Sequence, residues 1–180
     1  RDVVGRRVHS AATLCAVEGV GPLSACFLKL TAACGAFYAN DRAARVGSIL
    51  STKQAGAYFM PKFTGSTSEE VYLLLLDDKR KILRCAKLFE GTVNAAAITL
   101  KKVMAEVVIS NATAVILAHN HPGGLALPSA EDKAVTKQID TALGMINVRL
   151  LDHIIIADSE FFSMADAGLL HMTQVLAQPS

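Results

Sequence analysis

The sequence predicts an α/β layered domain behind a small all-helical N-terminal segment. Three observations carry this. Continuous apolar runs, "VYLLLL" (71–76) and "ATAVILA" (112–118), are bounded by polar residues, as strands buried on both faces of a sheet are. Strand-like and helix-like segments alternate over residues 51–170, the pattern of layered α/β domains. Residues 11–46 are rich in Ala and Leu, with one break at Gly19-Val20-Gly21-Pro22.

Along the chain, the glycines of that break permit a tight turn, and Pro22 suits the first turn of a second helix. Backbone N–H groups opening that helix point outward, where an anion can bind them. Residues 40–50 read as a helix end and a connector. Ser51 or Thr52 caps a helix through "KQAGAYFMPKF", which Pro61 ends or kinks. "TGSTS" is a loop, "EEVYLLLLDD" (69–78) a buried strand, Asp77-Asp78-Lys79 a turn and "KILRCAKLF" (81–89) a second strand. After the polar break "GTVN", residues 96–111 have helical spacing, with Lys101, Lys102 and Glu106 on a solvated side. "ATAVILAHNH" (112–121) is a strand, residues 129–146 an amphipathic helix, and "VRLLDHIIIAD" (148–158) and "EFFSM" (160–164) two further strands.

The 180 residues are 52% apolar, which excludes intrinsic disorder and supports a core without staples. Cys15, Cys26, Cys34 and Cys85 have no C-x-x-C spacing, which fits a reducing compartment, and the first three, in an apolar N-terminal third, read as small buried hydrophobes. The uninterrupted apolar runs are too short to span a bilayer, and "RDVVGRRVHS" lacks the apolar stretch of a signal peptide. The expectation is a cytoplasmic protein without a membrane partner. Residues 1–50 carry six Lys/Arg against three Asp/Glu and the remainder twelve against thirteen, so the mildly basic part is N-terminal.

The stretch "LAHNHPGGLALPSAED" (117–132) carries the chemistry. Alternate residues of a strand face one side, so His119 and His121 can reach one ion at a strand end. Pro122 cannot continue a central ladder, and Gly123-Gly124 releases the chain into a loop. A solvated loop pair is the competing reading of the two histidines. Ser129-x-x-Asp132 is a capping-box pattern, and a cap alone would account for it. If the loop folds back, Asp132 supplies a third ligand, leaving a fourth position of a tetrahedral zinc for an acidified water. Ser129 Oγ then faces a developing oxyanion. A base is also needed, and Glu69 and Glu70 are the candidates.

The array Glu69, His119-x-His121-Pro122 and Ser129-x-x-Asp132 resembles the JAMM (MPN) metalloprotease signature. More narrowly, "ATAVILAHNHPGG…PSAED", "SEEVYLLLLDDKRKIL" (68–83), "EGTVN" (90–94) and "LLDHIIIADSEFFSMADAGLL" (150–170) are similar to the RadC family. The resemblance implies a JAMM/MPN fold over residues 48–172, a mixed central sheet flanked by helices with cytidine-deaminase-like layering, followed by a tail at 173–180. It implies Zn2+ held by His119, His121 and Asp132, Ser129 on the oxyanion side, and Glu69 as base with Glu70 as the alternative. The implied activity is hydrolysis of a peptide or isopeptide bond. Asp152-His153 matches a framework pair whose side chains satisfy each other. "LCAVEGVGPLSACFLKL" (14–30) resembles a helix-hairpin-helix, implying a helical domain over residues 1–47 that docks DNA phosphates on Gly19, Val20 and Gly21. The competing functions are a DNA-associated accessory module and a catalytically silent scaffold. The chain departs from the family at Gly123, at "LALP" and at "ITLKKV", none of which removes a ligand.

Overall fold

Five strands form one sheet in the order β2-β1-β3-β4-β5, and the computed structural model describes residues 10–45, 47–91 and 99–170 of the chain around it. The strands are β1 (Glu69–Leu76), β2 (Ile82–Gly91), β3 (Ala114–Asn120), β4 (Arg149–Ala157) and β5 (Glu160–Ser163). The helices are α1 (Ala11–Cys15), α2 (Pro22–Ala44), α3 (Thr52–Phe59), α4 (Thr99–Ser110) and α5 (Ala130–Gly144). Only β3 and β4 run parallel, joined through α5, and every other neighbouring pair is antiparallel. Ser51 rather than Thr52 caps α3, accepting from the Gln54 amide at 3.2 Å, and a 3-10 turn at Met60–Phe63 carries Pro61 past the helix end. Sequence positions 92–98, with most of "EGTVN", the tail, His9 and His171 lie outside the described residues.

The sheet divides the core into two layers. Val71, Leu73, Leu75, Val115 and Leu117 face α4 and α5, meeting Val103, Val107, Ile139 and Leu143. Leu74, Leu76, Ile116, Ala118, Ile154 and Ile156 face α3, meeting Ala55, Tyr58 and Phe59. All seven residues of β3 are buried, which is why its first five form a continuous apolar run rather than an alternation. Gly56 is required where α3 crosses β5, since a Cβ there would lie 2.5 Å from the Phe161 ring.

β4 carries a bulge that decides the site. Val115 pairs with Leu150, but Ile116 pairs with Asp152 and Leu117 with His153. A regular ladder would set Asp152 opposite Leu117. The extra residue advances the register by one, so His153 shares the α5 face with Leu117 and His119, and Asp152 turns to the other side.

In the N-terminal segment, the turn at Gly19–Gly21 joins α1, of five residues, to α2, of 23, with Pro22 in the first turn of α2. The segment departs from expectation in two ways. First, Cys15, Cys26 and Cys34 are exposed and unpaired; around Cys34 the middle of α2 packs against nothing described. Second, Pro22–Ala43 is 22 residues long with a mean hydropathy of 1.2, so by length and composition it suffices to cross a membrane. The expectation counted uninterrupted apolar runs and so passed over a helix punctuated by Lys29 and Asn40. The far end of α2 joins the body: Ala43 enters the α3-side core and Asn40 donates to the Pro61 carbonyl at 3.0 Å.

Candidate metal centre

β3 delivers His119 onto the α5 face, and His121 follows just past the strand end, its amide donating to the Ile156 carbonyl at 2.8 Å. α5 begins beside them. Ser129 caps it, accepting from the Asp132 amide at 3.0 Å, while Asp132 Oδ2 accepts from the Ser129 amide at 2.7 Å and its hydroxyl at 2.6 Å. The capping box therefore forms, and it also fixes the carboxylate. Asp132 Oδ1 lies 3.2 Å from His119 Nε2, Oδ2 lies 3.4 Å from His121 Nε2, and the two Nε2 atoms are 2.9 Å apart. Cap and convergence are one arrangement: the box that ends the loop aims Asp132 at the histidines. Ligand atoms of His119, His121 and Asp132 all lie within 4.8 Å of one another, a group that could hold a metal ion.

The outer ring nitrogens show what this cluster fits. His121 Nδ1 is 3.1 Å from the Leu125 carbonyl, which can only accept, so the proton sits on Nδ1 and Nε2 is bare. His119 Nδ1 is 2.7 Å from His153 Nε2, and His153 Nδ1 is 2.6 Å from the Thr136 hydroxyl. Two ring nitrogens and a carboxylate meeting this closely need a positive charge among them. A divalent cation with nitrogen and oxygen ligands answers that need, and among the described residues no Lys or Arg is ion-paired with Asp132. Asp132 beside its ring raises His121 above the ordinary imidazole value against the opposing effect of burial. Burial alone would raise Asp132, but the two imidazoles beside it, His119 first, outweigh that effect and hold the carboxyl far below the usual range. His153 is fully buried, and that burial, with His119 beside it, keeps the ring neutral.

The two candidate bases part company. Val71 pairs with His119, so two residues back along β1 Glu69 stands opposite His121, and its charge contributes to raising that imidazole. Glu70 points to the other face, where its carboxylate accepts from Ser66 Oγ at 2.9 Å and Tyr72 OH at 3.0 Å and lies 3.1 Å from Lys87 Nζ. Asn120, between the two histidines, reaches over the same face. Its Oδ1 accepts from the Glu70 amide at 2.7 Å and its Nδ2 donates to the Ser68 carbonyl at 3.0 Å, so one side chain clamps the backbone on both sides of Glu69. A cleft of about 450 Å³ opens beside His121, walled by Met60, Phe63, Thr67, Pro122 and Asp158.

One sequence reading changes. Asp152 and His153 do not satisfy each other's side chains. Asp152 accepts from Ser163 Oγ at 2.6 Å and from the amides of His153 at 2.7 Å and Ala165 at 3.0 Å, while the His153 ring goes to His119 and Thr136. The bulge in β4 separates them. Thr136 and Asn120 were not singled out from the sequence; the spacing of Thr136 one helical turn after Asp132 was the available signal for the first. Gly19, Val20 and Gly21 form the turn before α2, with Gly19 at φ +84°, and Glu18 and Lys29 are the only charges between residues 10 and 40.

A family model described as the RadC-like JAB domain matches residues 49–169. The chain is 36% identical over 157 residues to a UPF0758 protein of Coxiella burnetii, covering 87% of this chain and 70% of that one. It is 34% identical over 160 residues to a UPF0758 protein of Shewanella pealeana, covering 88% and 71%, and 36% identical over 169 residues to one from Stenotrophomonas maltophilia, covering 91% and 70%.

Proposed function

The chain belongs to the RadC-like JAB domain family, and from that premise we propose that it is a zinc-dependent hydrolase of peptide or isopeptide bonds. The observation that carries the reading is the meeting of His119 Nε2, His121 Nε2 and the Asp132 carboxylate at one locus, with Glu69 across from His121. Zinc held there supplies Lewis acidity, acidifying a water and polarising a carbonyl.

The chain's own residues do the rest. Glu69, on the same side as the histidines, takes the proton from the attacking water and returns it to the leaving amine. Asn120 fixes the backbone on either side of Glu69, which limits where that carboxylate can swing. Ser129 holds Asp132 in the free protein, and its hydroxyl adjoins the locus where the oxyanion of the attacked carbonyl develops. The cleft beside His121 offers apolar walls at Met60 and Phe63 and a hydroxyl at Thr67, a surface that suits an extended peptide segment.

The test is metal analysis of purified protein with Asp132→Ala alongside, followed by a panel of fluorogenic peptide and isopeptide substrates with Glu69→Gln. The expected result is about one zinc per chain, lost in Asp132→Ala; Glu69→Gln keeps the zinc and loses turnover. Unchanged zinc content in Asp132→Ala, or full activity in Glu69→Gln, overturns the assignment.

A further inference from the structure

We propose that Thr136 and His153 are positioning residues that make His119 present a bare Nε2 to the metal locus, through a chain of hydrogen bonds that can run in one direction only. The inference rests on the preceding reading of His119 as a metal ligand.

The direction follows from the first contact. The backbone carbonyl of Asp132 carries no proton, and Thr136 Oγ lies 2.5 Å from it. Two oxygens that close need a proton between them, and only the hydroxyl can supply it. Met164 Sδ, at 3.6 Å, is a weak acceptor and does not compete. With its one proton spent, Thr136 Oγ can only accept at its 2.6 Å contact with His153 Nδ1, so that nitrogen carries N–H. In the neutral ring His153 Nε2 is then bare, and the 2.7 Å contact with His119 Nδ1 must take its proton from His119. His119 is left with a bare Nε2, aimed at His121 and Asp132.

Running the chain backwards fails at Thr136. Were it to donate to His153, two oxygen acceptors would face each other at 2.5 Å, and His119 would then carry N–H at Nε2, where a metal ion needs a lone pair. The chain also closes on itself. Asp132 gives the metal locus its carboxylate and gives Thr136 the carbonyl that orders the chain, so α5, β4 and β3 are set by one residue. Outer hydrogen bonds of this kind fix the tautomer and orientation of ligating histidines generally; here a buried imidazole, rather than a carboxylate or carbonyl, does so. The bulge in β4 exists on the correct side to allow it.

The full chain, labelled with 15N and stripped of metal, is examined at mildly alkaline pH by long-range proton–nitrogen correlation spectra of its imidazoles. His119 and His153 are both expected to carry the proton on Nδ1. Either ring protonated on Nε2 in the wild type overturns the inference. Thr136→Val, which keeps the shape and removes the acceptor, is expected to shift both rings to Nε2–H and to weaken zinc binding about 10- to 100-fold in competition with a chromophoric chelator. Thr136→Ser restores the hydroxyl and is expected to bind close to wild type. Equal zinc affinity in Thr136→Val and wild type, or Thr136→Ser as weak as Thr136→Val, overturns it. Wild-type protein that takes up no zinc overturns the hydrolase reading and this inference with it, whereas zinc bound normally by Thr136→Val overturns this inference alone.

Discussion

Asn120→Ala isolates the clamp that holds β1 against β3 at the candidate site. The substitution removes two hydrogen bonds, to the Glu70 amide at 2.7 Å and to the Ser68 carbonyl at 3.0 Å. Glu70 is 6% exposed and Asn120 5%, so the stranded amide has no ready access to water and bears most of an unsatisfied-donor penalty, about 1–3 kcal/mol. Ser68 is half-buried and its carbonyl recovers part of its loss from solvent, about 1 kcal/mol remaining. The expected sum is about 2–4 kcal/mol, which for a chain of this size lowers the melting temperature by roughly 5–15 °C. Urea unfolding of metal-free wild type and variant, fitted with a common slope, measures the stability term. Turnover at saturating zinc measures the second consequence: kcat falls because Glu69 loses the two anchors flanking it, while zinc affinity changes little because the Asn120 side chain lies on the opposite face of the sheet from the histidine rings. A variant as stable as wild type refutes the clamp. A variant that loses zinc in proportion to activity refutes the separation of the two faces.

Three further outcomes follow from the same geometry. Glu70→Gln, which weakens contacts with Lys87, Ser66 and Tyr72, should cost about 1–3 kcal/mol in denaturant titration yet leave turnover near wild type, the reverse of Glu69→Gln; loss of turnover would move the base to Glu70. Gly56→Ala places a Cβ 2.5 Å from the Phe161 ring and should destabilise by about 1–3 kcal/mol through displacement of β5, read as a lowered unfolding midpoint; an unchanged midpoint would show that the ring yields freely. Burial raises the Asp152 carboxyl above its ordinary value, against hydrogen bonds from Ser163, Ala165 and His153 that lower it. A folded-state value above the unfolded one means the folded chain holds the extra proton between the two, so this group's contribution is greatest below the unfolded value and declines as pH rises through the folded one. Wild type minus Asp152→Asn stability, measured across acidic pH, should therefore fall with rising pH and then level, and parallel curves would refute it.

What the sequence disclosed and what it withheld divide along one physical line. Where a side chain's direction follows from position within a regular element, the residue types were sufficient. The unbroken run in β3 marks a strand buried on both faces, two-residue spacing sends His119 and His121 the same way, and Ser129-x-x-Asp132 closes a capping box whose carboxylate is fixed by that geometry. Where direction depends on an irregularity or on a missing neighbour, they were not. Asp152 and His153 read as mutual partners because nothing in "LLDHIII" announces the bulge, and one extra residue opposite Val115 and Ile116 exchanges which of them meets α5. α2 has apolar residues on every side, so its composition names no face to bury; the assumption that its cysteines were inside came from hydropathy alone, and hydropathy is a property of residues while burial is a property of neighbours. The candidate metal centre sits at the junction of both cases. Its three inner groups are placed by regular periodicity, and the partners that orient one of them are placed by a single break in it. A scan for ligand spacing can therefore find such a centre, but the residues that set its protons become visible only once the strand register is known.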